Sequence, residues 1–351
     1  MSPTHVVHLT SVHSATDIRI FWKEATSLVR RGFRVSVIGP HNCNEMRNGV
    51  ALIGIRRIRR RIIRMPVASG IVFVRALIAR GDVYHLHDPE LLVVGLLLRL
   101  VGRRVVYDVH EDVPKDVLDK EWIPPLARRP IAALVAAMEA VAGHLYSGIV
   151  AATPAIGRRF PAGKTVVVEN FPHLAELAPT DVARTPSCPP VFAYVGGILP
   201  RRGLEQCIAA VGLLPAGDCA RLVMAGDLLH SPLAGSLKQL PGWPRVDAVG
   251  MLDRSAVRDL LQRAIAGLVV FQPIANHVEA RPNKLFEYMS AGLPVIVSDF
   301  PGWREVVEMT EAGLLVDPTS PVAIAEAMRW CLDHPEEALA MGRRGRAAVV
   351  A

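Results

Sequence analysis

Two acids eight positions apart, Glu279 and Glu287, bracket the run Ala-Arg-Pro-Asn-Lys-Leu-Phe, and this stretch concentrates more chemistry than any other. Pro282 suits the first turn of a helix and Gly292 its end. Glu279 then falls in the loop before that helix and Glu287 about one turn inside it. Between the acids lie backbone N–H groups that a helix leaves without intrahelical acceptors, at the positive end of its dipole. Such a terminus holds a diphosphate. Carboxylates do not bind phosphate, but they accept hydrogen bonds from sugar hydroxyls on either side of it. Spacing alone fits equally well a solvated loop acid and a surface helix acid.

Other groups join this stretch. Tyr194-Val-Gly196-Gly197-Ile-Leu-Pro-Arg-Arg202-Gly203 reads as a strand end, a turn and a helix start, with Arg202 as a cation for an anionic ligand. His110 closes the apolar strand Val105-Val-Tyr-Asp-Val-His, so it should point out at a ligand-binding edge. His87 stands at the tip of the preceding strand, and His85 reads as a packed residue. His85, His87 and Asp88 could suggest a metal. Taken as alternating across the strand, they point to opposite faces, and no third ligand is spaced to join them, so no metal is expected. Gly250-Met251-Leu-Asp253 reads as a strand end with Asp253 as an N-cap.

The elements that must position these groups follow from periodicity. Short β-branched runs alternate with amphipathic, alanine- and leucine-rich stretches, the pattern of βαβ units and parallel sheets. Strands are expected near 5–11, 34–40, 82–87, 104–110, 148–153 and 165–170, with helices near 18–31, 89–102 and 123–146. Residues 171–190 carry five prolines without periodicity and read as a linker. Strands resume near 191–197, 221–226, 246–251, 267–272, 294–299 and 313–317, with helices starting near Gly203, Arg254, Asn283, Gly302 and Pro321. The expected organisation is an α/β first domain (1–170), the linker (171–190) and an α/β second domain (191–351). Ligands would lie in a cleft at the carboxyl ends of both sheets.

Bulk properties narrow the class. The 351 residues carry a formal net charge of +7, and half are apolar, which allows two cores and favours anionic partners. Five scattered cysteines without a CxxC pair argue against a disulfide framework or zinc ribbon and suit a reducing cytoplasm. The N-terminus lacks the cationic-then-apolar build of a signal peptide, and the apolar run Leu91–Leu98 is too short to cross a bilayer. No P-loop or GxGxxG appears, which disfavours an ATPase or a nicotinamide enzyme. Arg56–Arg64 holds six arginines in nine residues with isoleucines between them. It reads as a solvated loop or, ranked first, as a contact for an anionic membrane surface. Low aromatic content and the absence of a nucleic-acid motif set nucleic acid aside.

The stretch from Glu279 to Glu287, with Asn283-Lys-Leu-Phe-Glu-Tyr-Met-Ser-Ala-Gly-Leu-Pro294, resembles the E-x7-E signature of retaining glycosyltransferase family 4, a family of the GT-B fold. His13–Glu24, His85–Glu90, Tyr107–Glu111 and Tyr194–Gly197 resemble further blocks of the branch that acts in polysaccharide and cell-surface glycan synthesis. The likeness runs in order from about residue 5 to about 345. It implies two Rossmann-like domains and metal-independent transfer of a hexose, with retention, from a UDP-, GDP- or TDP-sugar. The acceptor would be lipid-linked or a small-molecule glycan, and the protein would work in the cytoplasm or at the inner face of the membrane. No cofactor beyond the donor substrate is implied.

By the same resemblance, Glu279 contacts the transferred sugar and Glu287 the ribose. Arg281, Pro282, Asn283, Lys284 and Leu285 line the donor, the first four along its diphosphate. Gly196, Gly197 and Arg202 join them, Met251 lies where the nucleobase packs, and His110 and His87 serve the acceptor side. Relatives carry arginine at the position of Gly197 and lysine at that of Arg202. The first change loses a cation, which Lys284 is expected to supply. A nucleotide-sugar epimerase or phosphorylase on the same fold and a non-catalytic sugar-nucleotide-binding protein are the rival readings.

Overall fold

The computed structural model describes residues 3–351 apart from 59, 121, 173, 175, 176, 178–186, 230, 232 and 279; at 61, 62, 275 and 276 it describes the backbone alone. Glu279, Arg59 and most of the expected linker therefore lie outside the described residues. The chain divides into two compact units, Met1–Asn170 and Phe171–Ala351.

The first unit holds an eight-stranded sheet of β1 (His5–Leu9), β2 (Arg34–Pro40), β3 (Glu45–Arg47), β4 (Val50–Ile55), β5 (Val83–Leu86), β6 (Arg104–Val109), β7 (Gly148–Ala151) and β8 (Thr165–Val167). Its order is β3-β4-β2-β1-β5-β6-β7-β8, and every pairing is parallel except the antiparallel edge β3–β4. The second unit holds a six-stranded, all-parallel sheet of β9 (Val191–Val195), β10 (Arg221–Ala225), β11 (Val246–Gly250), β12 (Ala266–Val269), β13 (Val295–Ser298) and β14 (Gly313–Val316). Its order is β11-β10-β9-β12-β13-β14. Each sheet grows outward one way from its first strand and then the other way, as a doubly wound fold does. The switch points fall between β1 and β5 and between β9 and β12. Ligands bind outside the carboxyl ends of strands at such points.

Burial explains the runs of apolar residues. Phe192, Leu222, Met224 and Ile296 pack into one core layer, while Ala193, Val223, Val269 and Val297 pack into the layer on the other face of the same sheet. Successive side chains alternate across a strand, so a sheet covered on both faces needs apolar residues at every position.

All twelve expected strands are present. The edge strand β3, its neighbour β4 and the helices Arg61–Ala79 and Pro335–Val350 were not expected. Pro66 and Gly70 interrupt the first of these helices in sequence, and both residues ordinarily argue against a helix interior. The helix expected at 18–31 is composite: a π-helical stretch, Ile18–Ala25, runs into a short α-helix, Thr26–Arg30.

Candidate active site

In the second unit the site forms where β9 ends. Gly196 has φ +155°, and a Cβ there would stand 3.7 Å from Arg202 Nη1 and 3.9 Å from Lys284 Cε. Two cations from separate segments thus converge on one stretch of backbone. The Arg202 guanidinium lies over the Phe271 ring, 4.8 Å from its centroid, which restrains it. Gly203 has φ +66°, and any Cβ there would meet Val270 O at 1.8 Å, so only glycine lets this turn pass the end of β12. Tyr194 Oη donates to Gly197 O at 2.8 Å, and Val195 N donates to Tyr288 Oη at 2.9 Å. Tyr288 is buried on the helix Asn283–Ser290, so the turn and that helix are locked together.

Pro282 occupies the N-cap of this helix, one residue before the expected first turn, and supplies no side-chain cap to the N–H groups that follow. Trp303 Nε1 donates to Ala280 O at 2.6 Å and holds the approach to the helix. Glu287 is 7% exposed, and each of its oxygens takes one cation: Oε2 accepts from Lys284 Nζ at 2.6 Å, Oε1 from Arg254 Nη1 at 3.1 Å. Glu287 is therefore a charge-paired, nearly buried acid, and Lys284 is partnered as well as placed beside Gly196. Leu285 is buried beneath the helix; Arg281 and Asn283 are half-buried at its start. Gly197 has an ordinary backbone, and the nearest atom to a Cβ there is Leu199 Cδ1 at 4.0 Å, so a side chain would fit. Met251 is 77% exposed just past β11, and Asp253 caps the next helix through Ala256 N at 2.8 Å. His277, which the sequence did not single out, sits 3.1 Å from Gln272 O; burial, with Arg201 and Arg202 nearby, pushes it down to about 4.

In the first unit a polar cluster lies at the ends of β1, β5 and β6. His110 Nε2 is 2.8 Å from Asp108 Oδ2, and His87 Nδ1 is 3.2 Å from the same oxygen and 3.3 Å from His110 Nε2. Arg19 grips Asp108 with both ends of its fork, Nε to Oδ2 at 2.9 Å and Nη2 to Oδ1 at 2.7 Å. Burial alone would raise the Asp108 pKa, but the charge and hydrogen bonds of His110, His87 and Arg19 hold it well below the carboxylate range. His110 is the partly exposed end of this chain, while His87 is buried. His87 thus backs His110 from a buried position. Asp88 accepts from Thr10 Oγ1, Ser11 N and Val12 N at 2.7, 2.6 and 3.1 Å, which fixes the loop after β1.

One expectation fails here. His85 and His87 do not point apart: their ring centroids are 4.7 Å from each other, and both contact His8. Residues two apart on a strand share a face. With His8 and Glu24 they form a group whose donor atoms all lie within 4.8 Å of one another. The reasoning that set a metal aside on geometry is thereby overturned. Arg19, Glu24 and Asp108 have roles here that the sequence did not single out, and only Asp108, two residues before His110, left a local signal.

The basic segment is not a plain solvated loop. Arg56 and Arg57 line a cavity of about 420 Å³ with Ser14, Pro40, His41 and Gly54. Arg64 pairs with Glu90, its Nε 3.3 Å from Oε2. The helix Arg61–Ala79 leaves Ile63, Val67, Ile71, Val74 and Ile78 exposed at helical spacing. No helix among the described residues is long and apolar enough to cross a membrane.

Residues 19–172 match the family model described as Glycosyltransferase Family 4, and residues 181–348 match that of glycosyl transferases group 1. The chain is 31% identical over 160 residues to the D-rhamnosyltransferase WbpZ of Pseudomonas aeruginosa, a match over 45% of this chain and 40% of that protein. It thus spans about two fifths of this curated relative's length. The sucrose-phosphate synthase of Thermosynechococcus elongatus has a similar structure, with TM-score 0.81 and 21% identity over 99% of this chain and 94% of that one. Anabaena HepE, solved in complex with UDP-glucose, gives TM-score 0.72 and 16% identity over 98% of this chain and 94% of that one. With two doubly wound sheets matched along their length to such structures, and two family models in tandem over nearly all its residues, the chain belongs to the family 4 type of glycosyltransferases, of the GT-B fold.

Proposed function

We propose that this protein transfers a hexose from a UDP-, GDP- or TDP-sugar to an acceptor hydroxyl, with retention and without a divalent ion at the diphosphate. The observation that carries the reading is the convergence of Arg202 and Lys284 on Gly196, beside a helix N-terminus whose acid, Glu287, lies within one turn. A departing nucleoside diphosphate develops charge that fixed cations and backbone N–H groups stabilise without reorganising. Glu287, held by Lys284 and Arg254, is suited to accept from the ribose hydroxyls; Glu279 is assigned to the transferred sugar by resemblance. No carboxylate is assigned as a nucleophile: attack from the face of the leaving group, with the departing phosphate taking the acceptor proton, keeps the configuration.

His110, backed by the ionised Asp108, is the group of the first unit suited to the acceptor side. The acceptor is a lipid-linked or small-molecule glycan in polysaccharide or glycolipid synthesis. Arg56, Arg57 and the apolar stripe of Arg61–Ala79 favour an anionic membrane surface at the cytoplasmic face, each basic residue near the bilayer contributing about 1 kcal/mol.

The test is a thermal-shift screen of nucleotide sugars, followed by product analysis with candidate acceptors and assignment of the anomeric configuration. A ligand at a hundred times its Kd adds about 2.7 kcal/mol of stability, which the screen resolves. If no nucleoside-diphosphate sugar stabilises the chain, the reading fails; if a donor binds and is epimerised without an acceptor, the epimerase replaces it.

A further inference from the structure

Four side chains of the first unit bring donor atoms together at the switch point of its sheet. His8 comes from β1, His85 and His87 from β5 and its tip, and Glu24 from the π-helical stretch. His8 Nδ1, His85 Nδ1 and His87 Nε2 stand 3.9, 3.8 and 3.9 Å from one oxygen, Glu24 Oε2. His8 Nδ1 and His87 Nε2 are 2.8 Å apart. The three nitrogen–oxygen separations are too long for hydrogen bonds, and among the described residues Oε2 is buried with no geometric hydrogen-bond partner. A carboxylate oxygen aimed at three imidazoles just beyond hydrogen-bond reach is the arrangement that a small cation closes. With donors at about 2.0–2.1 Å, the corners of a tetrahedron lie about 3.3 Å apart, between the short and long separations here.

We propose that His8, Glu24, His85 and His87 form a tetrahedral binding site for a zinc-class divalent ion. The donor set of three imidazoles and one carboxylate suits zinc and its transition-metal neighbours and not magnesium, which takes oxygen ligands. The other nitrogen of His87 faces Asp108 at 3.2 Å, the carboxylate–histidine contact that fixes a metal ligand's tautomer. Four protein donors make a closed, structural site. Its ion would stiffen His87 and, through Asp108, hold His110 in place. The diphosphate cradle belongs to the second unit, so this ion and metal-free handling of the donor are compatible, and the site stands whatever sugar is transferred.

The test uses the full chain, stripped with a strong chelator, dialysed against zinc and assayed by elemental mass spectrometry. The expected result is near-stoichiometric zinc, lost at least tenfold in Glu24→Gln and in His85→Ala and retained in His144→Ala. Cobalt(II) in the wild-type chain should give the intense visible absorption of a tetrahedral ion, a readout that does not depend on any variant folding. Wild-type zinc no higher than in the two ligand variants, or a cobalt spectrum of the octahedral aqua ion, would overturn the site. Zinc that is lost in His41→Ala and kept in Glu24→Gln would also overturn it, because the exposed group His41, Cys43 and Glu45 would then be the binder.

Discussion

Replacing Lys284 by alanine tests how a chain with glycine at position 197 meets the second charge of a diphosphate. Arg202 Nη1 and Lys284 Cε both lie within 4 Å of the Cβ position of Gly196, and a phosphate oxygen bound near there can approach each charge to about 4 Å. At that distance and an effective dielectric of about 20, one charge pair is worth about 4 kcal/mol. Lys284 also faces Glu287 Oε2 at 2.6 Å, which cancels part of its field. Halving the figure leaves about 2 kcal/mol, or roughly a thirtyfold loss in kcat/KM. Arg202→Ala should fall within about tenfold of the same loss. The double variant Gly197→Arg with Lys284→Ala should recover part of the activity, since the nearest atom to that new Cβ is 4.0 Å away and the arginine has room. Steady-state kinetics with the donor found by thermal shift decide the matter. A Lys284→Ala enzyme with wild-type kcat/KM would refute the reasoning and leave the second phosphate to backbone N–H groups alone.

Further outcomes are expected. Glu279→Gln should slow transfer by about 1.5–3 kcal/mol in activation energy while leaving affinity for the free nucleotide nearly unchanged; an unaltered rate would remove Glu279 from the site. Added magnesium or manganese should not stimulate the zinc-replete enzyme, and a requirement for either would replace cation-only stabilisation of the leaving group. His277 has a folded pKa lowered to about 4 from an ordinary 6.5. The unfolded chain therefore binds its proton first, and the stability it contributes is present above about 6.5 and lost as pH falls towards 4. His277→Gln should flatten the fall in melting temperature over that window by the equivalent of about 1–2 kcal/mol, allowing for partial exposure; an unchanged slope in urea titrations would rule this out. Arg56→Glu with Arg57→Glu should weaken sedimentation with anionic vesicles about tenfold or more and leave neutral vesicles unaffected, a contrast that fails if the segment faces only solvent.

Most of the fold was legible because parallel strands buried on both faces announce themselves as apolar runs, and runs such as Val191–Val195 and Val295–Ser298 leave little ambiguity. The edge strand β3 escaped notice because its three residues are mostly polar and exposed, β4 was missed despite its apolar run Val50–Ile55, and the helix Arg61–Ala79 escaped because Pro66 and Gly70 disguise it. On the helix Asn283–Ser290 the pairing of Glu287 with Lys284 follows from helical spacing, but the second cation on it, Arg254, lies 33 positions earlier and left no local trace. In the first unit His110 was readable from its place at a strand end. The buried partners Arg19 and Asp108 were not, because only the three-dimensional meeting of β6 with the 18–25 segment makes them a pair. The misjudged histidines show a different limit. The residues were noticed, but the period of two was applied to a pair that it places on the same face.

The π-helical stretch Ile18–Ala25 has a consequence for how this protein can change over time. The wider turn of a π-helix brings residues five apart towards one face, and so Arg19 and Glu24 project together, with the guanidinium Nε 3.0 Å from the carboxylate. In an α-helix each residue turns the chain by about 100°, so side chains five apart would stand about 140° from each other and side chains four apart about 40°. Losing one residue between positions 20 and 23 would therefore restore regular winding and keep the pair on one face, whereas adding one would set the two about 120° apart and away from the three histidines. Lineages derived from this chain should tolerate substitution on the exposed side of the segment, at Ile18 and Trp22, or loss of one residue within it, far more readily than an insertion.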